Sequence, residues 1–142
     1  MGLFDSFSIS ASGLSAERLR LDIIANNLAN MNTTRTPGGG PYKRRGAVFA
    51  ERLRLAQESG GKQLYQGAGV KVQTITEYSG PPRMVHDPAH PDADASGLVA
   101  YPNINLTNEM ADMISATRAY EANATVLDAA KGMALKALEI GR

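Results

Sequence analysis

Apolar residues recur at helical spacing near both ends of the chain and lose that spacing between them. Phe7, Leu14, Leu21 and Leu28 stand seven residues apart, with Ile24 and Met31 filling the intervening steps. This heptad-like stripe predicts an amphipathic helix. Ser10, Arg18, Arg20 and Asp22 occupy other faces, while Glu17 falls on the stripe itself. Asp and Ser residues between Asp5 and Ser12 can cap the entry. At the exit, Asn26, Asn27, Asn30 and Asn32 compete for backbone hydrogen bonds, and Pro37 forbids continuation.

The second periodic segment places Leu106, Met110, Met113, Thr117, Tyr120, Ala124, Leu127, Lys131, Ala134 and Leu138 at alternating steps of four and three. A seam held that long predicts one helix of roughly 50 Å at 1.5 Å per residue. Asn105 can cap it, Glu109 and Asp112 lie near its positive end, and Lys131 and Lys136 lie towards its negative end.

Between the helices, Thr36-Pro37-Gly38-Gly39-Gly40-Pro41 reads as a turn-forming connector. Phe49, Leu53 and Leu55 then alternate with arginines, Val70 and Val72 flank Lys71, and residues Leu98 to Tyr101 form a short apolar run. These predict small strands, interrupted at Gly60-Gly61, Gly67, Gly69, Pro81-Pro82, Pro88 and Pro91. The expected fold is mainly α: long terminal helices packed as a coiled-coil-like pair, with a small irregular β segment between them. The parts are residues 1–31, 32–102 and 103–142, forming one structural unit. Ile23, Ile114, Val126 and Leu135 lie beside the seams and widen the apolar faces beyond what one partner helix covers. Two arrangements satisfy this pattern: a helical hairpin completed by the middle segment, or helices whose faces meet neighbouring subunits.

Composition narrows the function. The chain has 142 residues and a net charge of +1, which disfavours a dedicated nucleic-acid binder. The absence of Cys excludes thiolate catalysis, disulfides and Cys-based metal sites. No run approaches the ~20 apolar residues that span a bilayer, and the first basic residue is Arg18. Export, if it occurs, is expected without a standard signal peptide. All seven Pro and ten of the fourteen Gly fall between residues 32 and 102, which separates the middle from the helices.

Candidate chemistry is sparse. Asp92-Ala93-Asp94-Ala95-Ser96-Gly97 matches the opening of a calcium loop, but the position for a bidentate Glu is Asn103, and an Asp- and Gly-rich turn explains the run better. His86 and His90, with Asp87 and Asp92, could offer metal ligands, yet Pro88 breaks the helix that would align the two rings. No nucleophile, acid and base constellation is recognisable. Gly38-Gly39-Gly40 lacks the ending of a phosphate loop. Lys43, Arg44, Arg45, Arg52 and Arg54 form a basic cluster, read as a solvated face or a contact with an acidic neighbour in preference to nucleic acid. Met110 and Met113 read as packing knobs. Neither a cofactor, a metal nor an enzymatic activity is expected; a small helical calcium-binding or nucleic-acid-binding module is the alternative.

The run Asn26-Asn27-Leu28-Ala29-Asn30, followed by Thr33 or Thr34, resembles the amino-terminal signature of the flagellar rod and hook family of axial proteins. Gly40-Pro41-Tyr42, Val85 to Asp94, Gly97, Pro102-Asn103, Glu109-Met110 and Arg118-Ala119-Tyr120-Glu121-Ala122-Asn123 resemble its rod members. His86 and Leu98 stand where relatives carry Tyr, and Glu58 to Gln66 is an insertion of a kind that varies. The resemblance implies a structural subunit of the proximal rod that polymerises into a helical drive shaft transmitting torque. It further implies passage through the flagellar type III export apparatus to the periplasm, with no nucleic acid bound and no membrane insertion. The implied partners are copies of the chain and other rod subunits, including the rod-base adaptor and the distal rod. Asn26, Asn27, Leu28, Asn30, Arg118, Tyr120, Glu121 and Asn123 carry over as assembly residues. The seam residues Leu14, Leu21, Ile24, Met110, Met113, Leu127 and Leu138 join them.

Overall fold

The terminal stripes form the two helices of the structure, a computed structural model that describes residues 3–57 and 63–141. Helix α1 is Leu3–Ala29 and helix α2 is Leu106–Ile140, about 40 and about 53 Å long at 1.5 Å per residue. Asn105 caps α2, its side chain accepting the Asn108 N–H at 3.2 Å. At the end of α1, the Asn26 and Asn30 amides donate to the carbonyls of Asp22 and Asn26 at 2.8 and 2.9 Å. The Thr33 hydroxyl then donates to Asn30 Oδ1 at 3.1 Å. The Asn-rich exit thus supplies its own hydrogen bonds as the helix stops.

The helices run antiparallel. Asn27 meets Glu109, Arg20 lies 3.7 Å from Asp112, and a Cβ added to Gly13 would sit 2.9 Å from Asn123 Oδ1. The buried stripe of α2 differs from the predicted seam. Glu109, Ala116 and Ala130 are buried and Asn123 is half-buried, whereas Met110, Thr117, Lys131 and Leu138 are exposed. The line of contact is displaced by one residue on that side, because Gly13 and Ala16 of α1 and the alanines of α2 allow a close approach that Met and Leu would block. Met113, Leu127 and Ala134, from the predicted seam, are half-buried on the inner side.

The middle segment is more regular than the predicted small strands. Strand β1, Arg45–Gln57, pairs antiparallel with β2, Gln63–Glu77, over 13 and 15 residues. Gly67 and Gly69 lie inside β2 and do not end it. The register shifts between Glu51 and Leu53, opposite Gly69, whose φ is +106°. A Cβ at Gly69 would collide with Ser12 Oγ, and that oxygen accepts the Val70 N–H at 3.1 Å while donating to the Ile9 carbonyl at 2.7 Å. The glycine therefore bulges the strand against α1. The hairpin lies along α1, joined by Asn27 and Arg45 at one end and by Asp5 and Arg54, 3.4 Å apart, at the other.

A second antiparallel ribbon joins β3, Arg83–His86, to β4, Leu98–Tyr101. It packs on no other described strand or helix. Asp94 organises its loop: Oδ1 accepts the N–H groups of Ser96 and Leu98 at 2.8 and 2.9 Å. The chain is thus mainly helical, with two ribbons between the helices. Its apolar core is small, comprising Ala16, Ile23, Ile24, Ala116, Ala130 and Val99 among the described residues.

Candidate functional site

Two arrangements carry functional information: a buried polar clasp where four segments meet, and apolar helix flanks that none of the described residues covers. The clasp begins with Asn27, 1% exposed in the last turns of α1. Its amide donates to the Arg45 carbonyl at 2.8 Å and to Glu109 Oε2 at 3.1 Å. Its carbonyl oxygen accepts the Arg45 N–H at 2.9 Å and the Tyr42 hydroxyl at 3.1 Å. One side chain so satisfies the edge of β1 at Arg45 that β2, paired there through Glu77, leaves free.

Glu109, also 1% exposed, accepts a second, charged hydrogen bond from Arg44 Nε. Arg44 continues to Asp112 at 3.4 Å and stacks over Tyr78, 4.9 Å from the ring centroid. Asp112 then faces Arg20, and Arg20 lies 3.9 Å from Glu17. An alternating chain of charge, Glu17, Arg20, Asp112, Arg44 and Glu109, therefore crosses from α1 to α2 and the connector. Glu17 Oε2 is buried with no hydrogen bond among the described residues, so its place on the apolar stripe is explained by the charge of Arg20 alone. Burial opposes the charge on Arg44, but the hydrogen bond and charge of Glu109, with the Tyr78 hydroxyl, outweigh it and raise its pKa. The Tyr42 hydroxyl is also pushed up, first by burial and then by the charges of Glu77 and Glu109, against the opposing Arg45.

Glu109, Arg44, Tyr42 and Asp112 were not singled out from the sequence as a site. The signal available was that Glu109 stands in step with Ala116, Asn123 and Ala130, seven residues apart, on a stripe of small residues. Within the basic cluster, Arg44, Arg45 and Arg54 each face a carboxylate of this chain, at Glu109, Glu77 and Asp5, while Lys43 and Arg52 are exposed. The Asp92 and Asp94 carboxylates diverge. Asp92 accepts the Thr34 hydroxyl at 2.8 Å and faces Arg35, while Asp94 serves its own turn. His90 Nδ1 accepts the Asp92 N–H at 3.1 Å, and no three His, Asp or Glu side chains converge among the described residues.

The residues expected at an assembly interface divide by burial. Ile24 and Asn27 are buried; Leu14, Leu21, Leu28, Asn30, Met113, Asn123 and Leu127 are half-buried; Asn26, Met110, Arg118, Tyr120, Glu121 and Leu138 are exposed. The Arg118 and Glu121 side chains have no hydrogen-bond or ionic partner among the described residues. Leu106, Met110 and Ile114, at steps of four, are 46%, 51% and 54% exposed along one flank of α2. Val126, Met133 and Ile140, at steps of seven, line the other flank. The pairing of Asn27 with Glu109 and of Gly13 with Asn123 brings α1 to its first residue, Leu3, near the level of Met133. Beyond that level Leu135, Leu138 and Ile140 have no helical partner among the described residues and are 53%, 71% and 86% exposed. No described helix is long and apolar enough to cross a membrane.

A pair of long helices with bare apolar flanks is the form that suits an axial structural subunit. The family comparisons agree: residues 7–35 match a model described as flagella basal body rod protein, and residues 95–140 match one described as flagellar basal body rod FlgEFG protein C-terminal. The chain is 46% identical to the flagellar basal-body rod protein FlgC of Borreliella burgdorferi, over 99% of this chain and 98% of that one. Identity to FlgC of Bacillus subtilis is 43%, and to FlgC of Salmonella typhimurium 38%, each over the whole of both chains. The chain belongs to the FlgC family of flagellar basal-body rod proteins.

Proposed function

We propose that this rod protein polymerises with itself and with other rod subunits, the rod-base adaptor and the distal rod among them, into the proximal part of a helical shaft that transmits torque. Its place is the periplasmic rod, reached through the flagellar type III export apparatus. The observation that supports this most is the apolar surface on both flanks of α2 and along its overhang, which α1 and the hairpin leave bare. Apolar patches of this kind are the mark of surfaces that meet another protein. Heterologous contacts repeated from copy to copy generate an open helical polymer, in which each helix gains the neighbours that the monomer lacks.

The terminal helices act as a coiled-coil-like pair whose outer faces insert between those of neighbours. Met110, Tyr120 and Leu138 serve as apolar knobs, and Arg118 and Glu121 find their ionic partners across subunits. Leu14, Leu21, Ile24, Leu28, Met113 and Leu127 support the pair from its inner side, with Asn26, Asn27, Asn30 and Asn123 fixing its geometry. Met110→Asp and Leu138→Lys test this without weakening the helix, because an acid near the amino end and a base near the carboxyl end suit the helix dipole. Both variants should keep the circular dichroism and melting temperature of the native monomer and abolish swimming. Normal swimming in both would defeat the proposal.

A further inference from the structure

The seam between α1 and α2 repeats every seven residues on both helices. Gly13, Arg20 and Asn27 of α1 face Asn123, the Asp112 to Ala116 turn and Glu109 of α2, and the buried line of α2 runs Glu109, Ala116, Asn123, Ala130. Apart from Glu109, these α2 positions hold small side chains. Sliding α2 by one heptad would set Ala116 opposite Asn27 and preserve most apolar contacts, so packing alone scarcely distinguishes the two registers. The β3–β4 ribbon packs on neither helix and meets α2 through the four-residue link from Pro102 to Asn105. What differs between registers is polar. Only one of them gives Asn27 and Arg44 the Glu109 carboxylate to bind, and in the other a buried amide and a half-buried guanidinium lose that partner.

We propose that the Asn27, Arg44 and Glu109 clasp is the register-setting device of the helix pair, and that these three residues thereby determine which apolar flanks α2 presents. A single buried polar group is the known way to choose among near-equivalent registers of a repeating apolar seam. Register is a property of the single chain; its bearing on assembly rests on the reading above.

The test uses the dilute full-length monomer. The chain has no cysteine, so spin labels attach only where cysteines are introduced, at the exposed Ala25 and Thr125. Moving the carboxylate one heptad along, in Glu109→Ala with Ala116→Glu, should shift the label-to-label distance by about 10 Å, seven residues at 1.5 Å each. Removing the clasp, in Asn27→Leu with Arg44→Met and Glu109→Leu, should leave a folded helix pair with two distances about 10 Å apart. An unshifted single distance in the relocated variant overturns the proposal, as does loss of its helical signal. If the clasp-free variant fails to fold, the relocated variant decides. A shifted register in a monomer that still assembles would separate the clasp from the assembly reading, because swimming is measured independently.

Discussion

Removing the Asn27 amide, itself 1% exposed, would leave the Arg45 N–H and carbonyl and the Tyr42 hydroxyl without this partner in a part-buried site. Unmet buried groups cost about 1–3 kcal/mol. Asn27→Ala should therefore destabilise the monomer by about 2 kcal/mol, lowering its melting temperature by roughly 7 °C at this chain length. A shift under about 1 °C in calorimetry would show that the clasp contributes little. Tyr42 adds a dependence on pH. Its pKa is raised above 10.0, so the folded state holds the phenolic proton more tightly than the unfolded chain. That stability is complete below pH 10.0 and is lost as pH rises through the higher folded value. Ultraviolet difference titration of the native chain against Tyr42→Phe should find the missing tyrosine ionising later than free tyrosine; ionisation at or below the ordinary value would contradict the burial of its hydroxyl. At this scale Asn27 was legible as part of an Asn-rich motif, but its task was not. A pattern of polar residues at a helix end reads as capping, and only the fold brings Arg45 and Glu109 to it.

At the scale of elements, spacing revealed both helices and the Asn105 cap, because a period near 3.5 survives in the side chains themselves. It did not reveal which residues would line the contact. Large apolar side chains mark a stripe in a sequence, yet the closest approach of α1 and α2 runs along Gly13, Ala16, Ala116 and Ala130, and it displaces Met110 outwards. The hairpin was underestimated for a related reason. A glycine in an alternating run signals either a break or a bulge, and the choice at Gly69 is made by Ser12, far earlier in the chain on α1. Gly69→Ala combines a positive φ with a collision against Ser12 Oγ. It should destabilise by at least about 1–3 kcal/mol and speed amide exchange around Val70 while leaving α2 protected. Unchanged protection in β2 would mean that the bulge does not anchor the hairpin.

On the scale of the whole molecule, the hairpin and α2 both lie along α1, and the small core leaves α2 with one covered face and two bare flanks. Its 35 residues overrun the 27 of α1, so its last turns carry Leu135, Leu138 and Ile140 into solvent. A monomer gains nothing from this surface; a polymer buries it at about 25 cal/mol per Å². That the faces exceed one partner was visible in Ile114, Val126 and Leu135, which stand beside the seam in the sequence. The overhang was not, since it depends on the antiparallel register that the clasp sets. The most direct measurement is electron microscopy of basal bodies purified from cells whose own copy of the gene is replaced by Met110→Asp or Leu138→Lys. Basal bodies that lack the rod, from cells whose variant protein folds as a normal monomer, are the predicted result; complete rods containing either variant would contradict assembly through the bare flanks of α2.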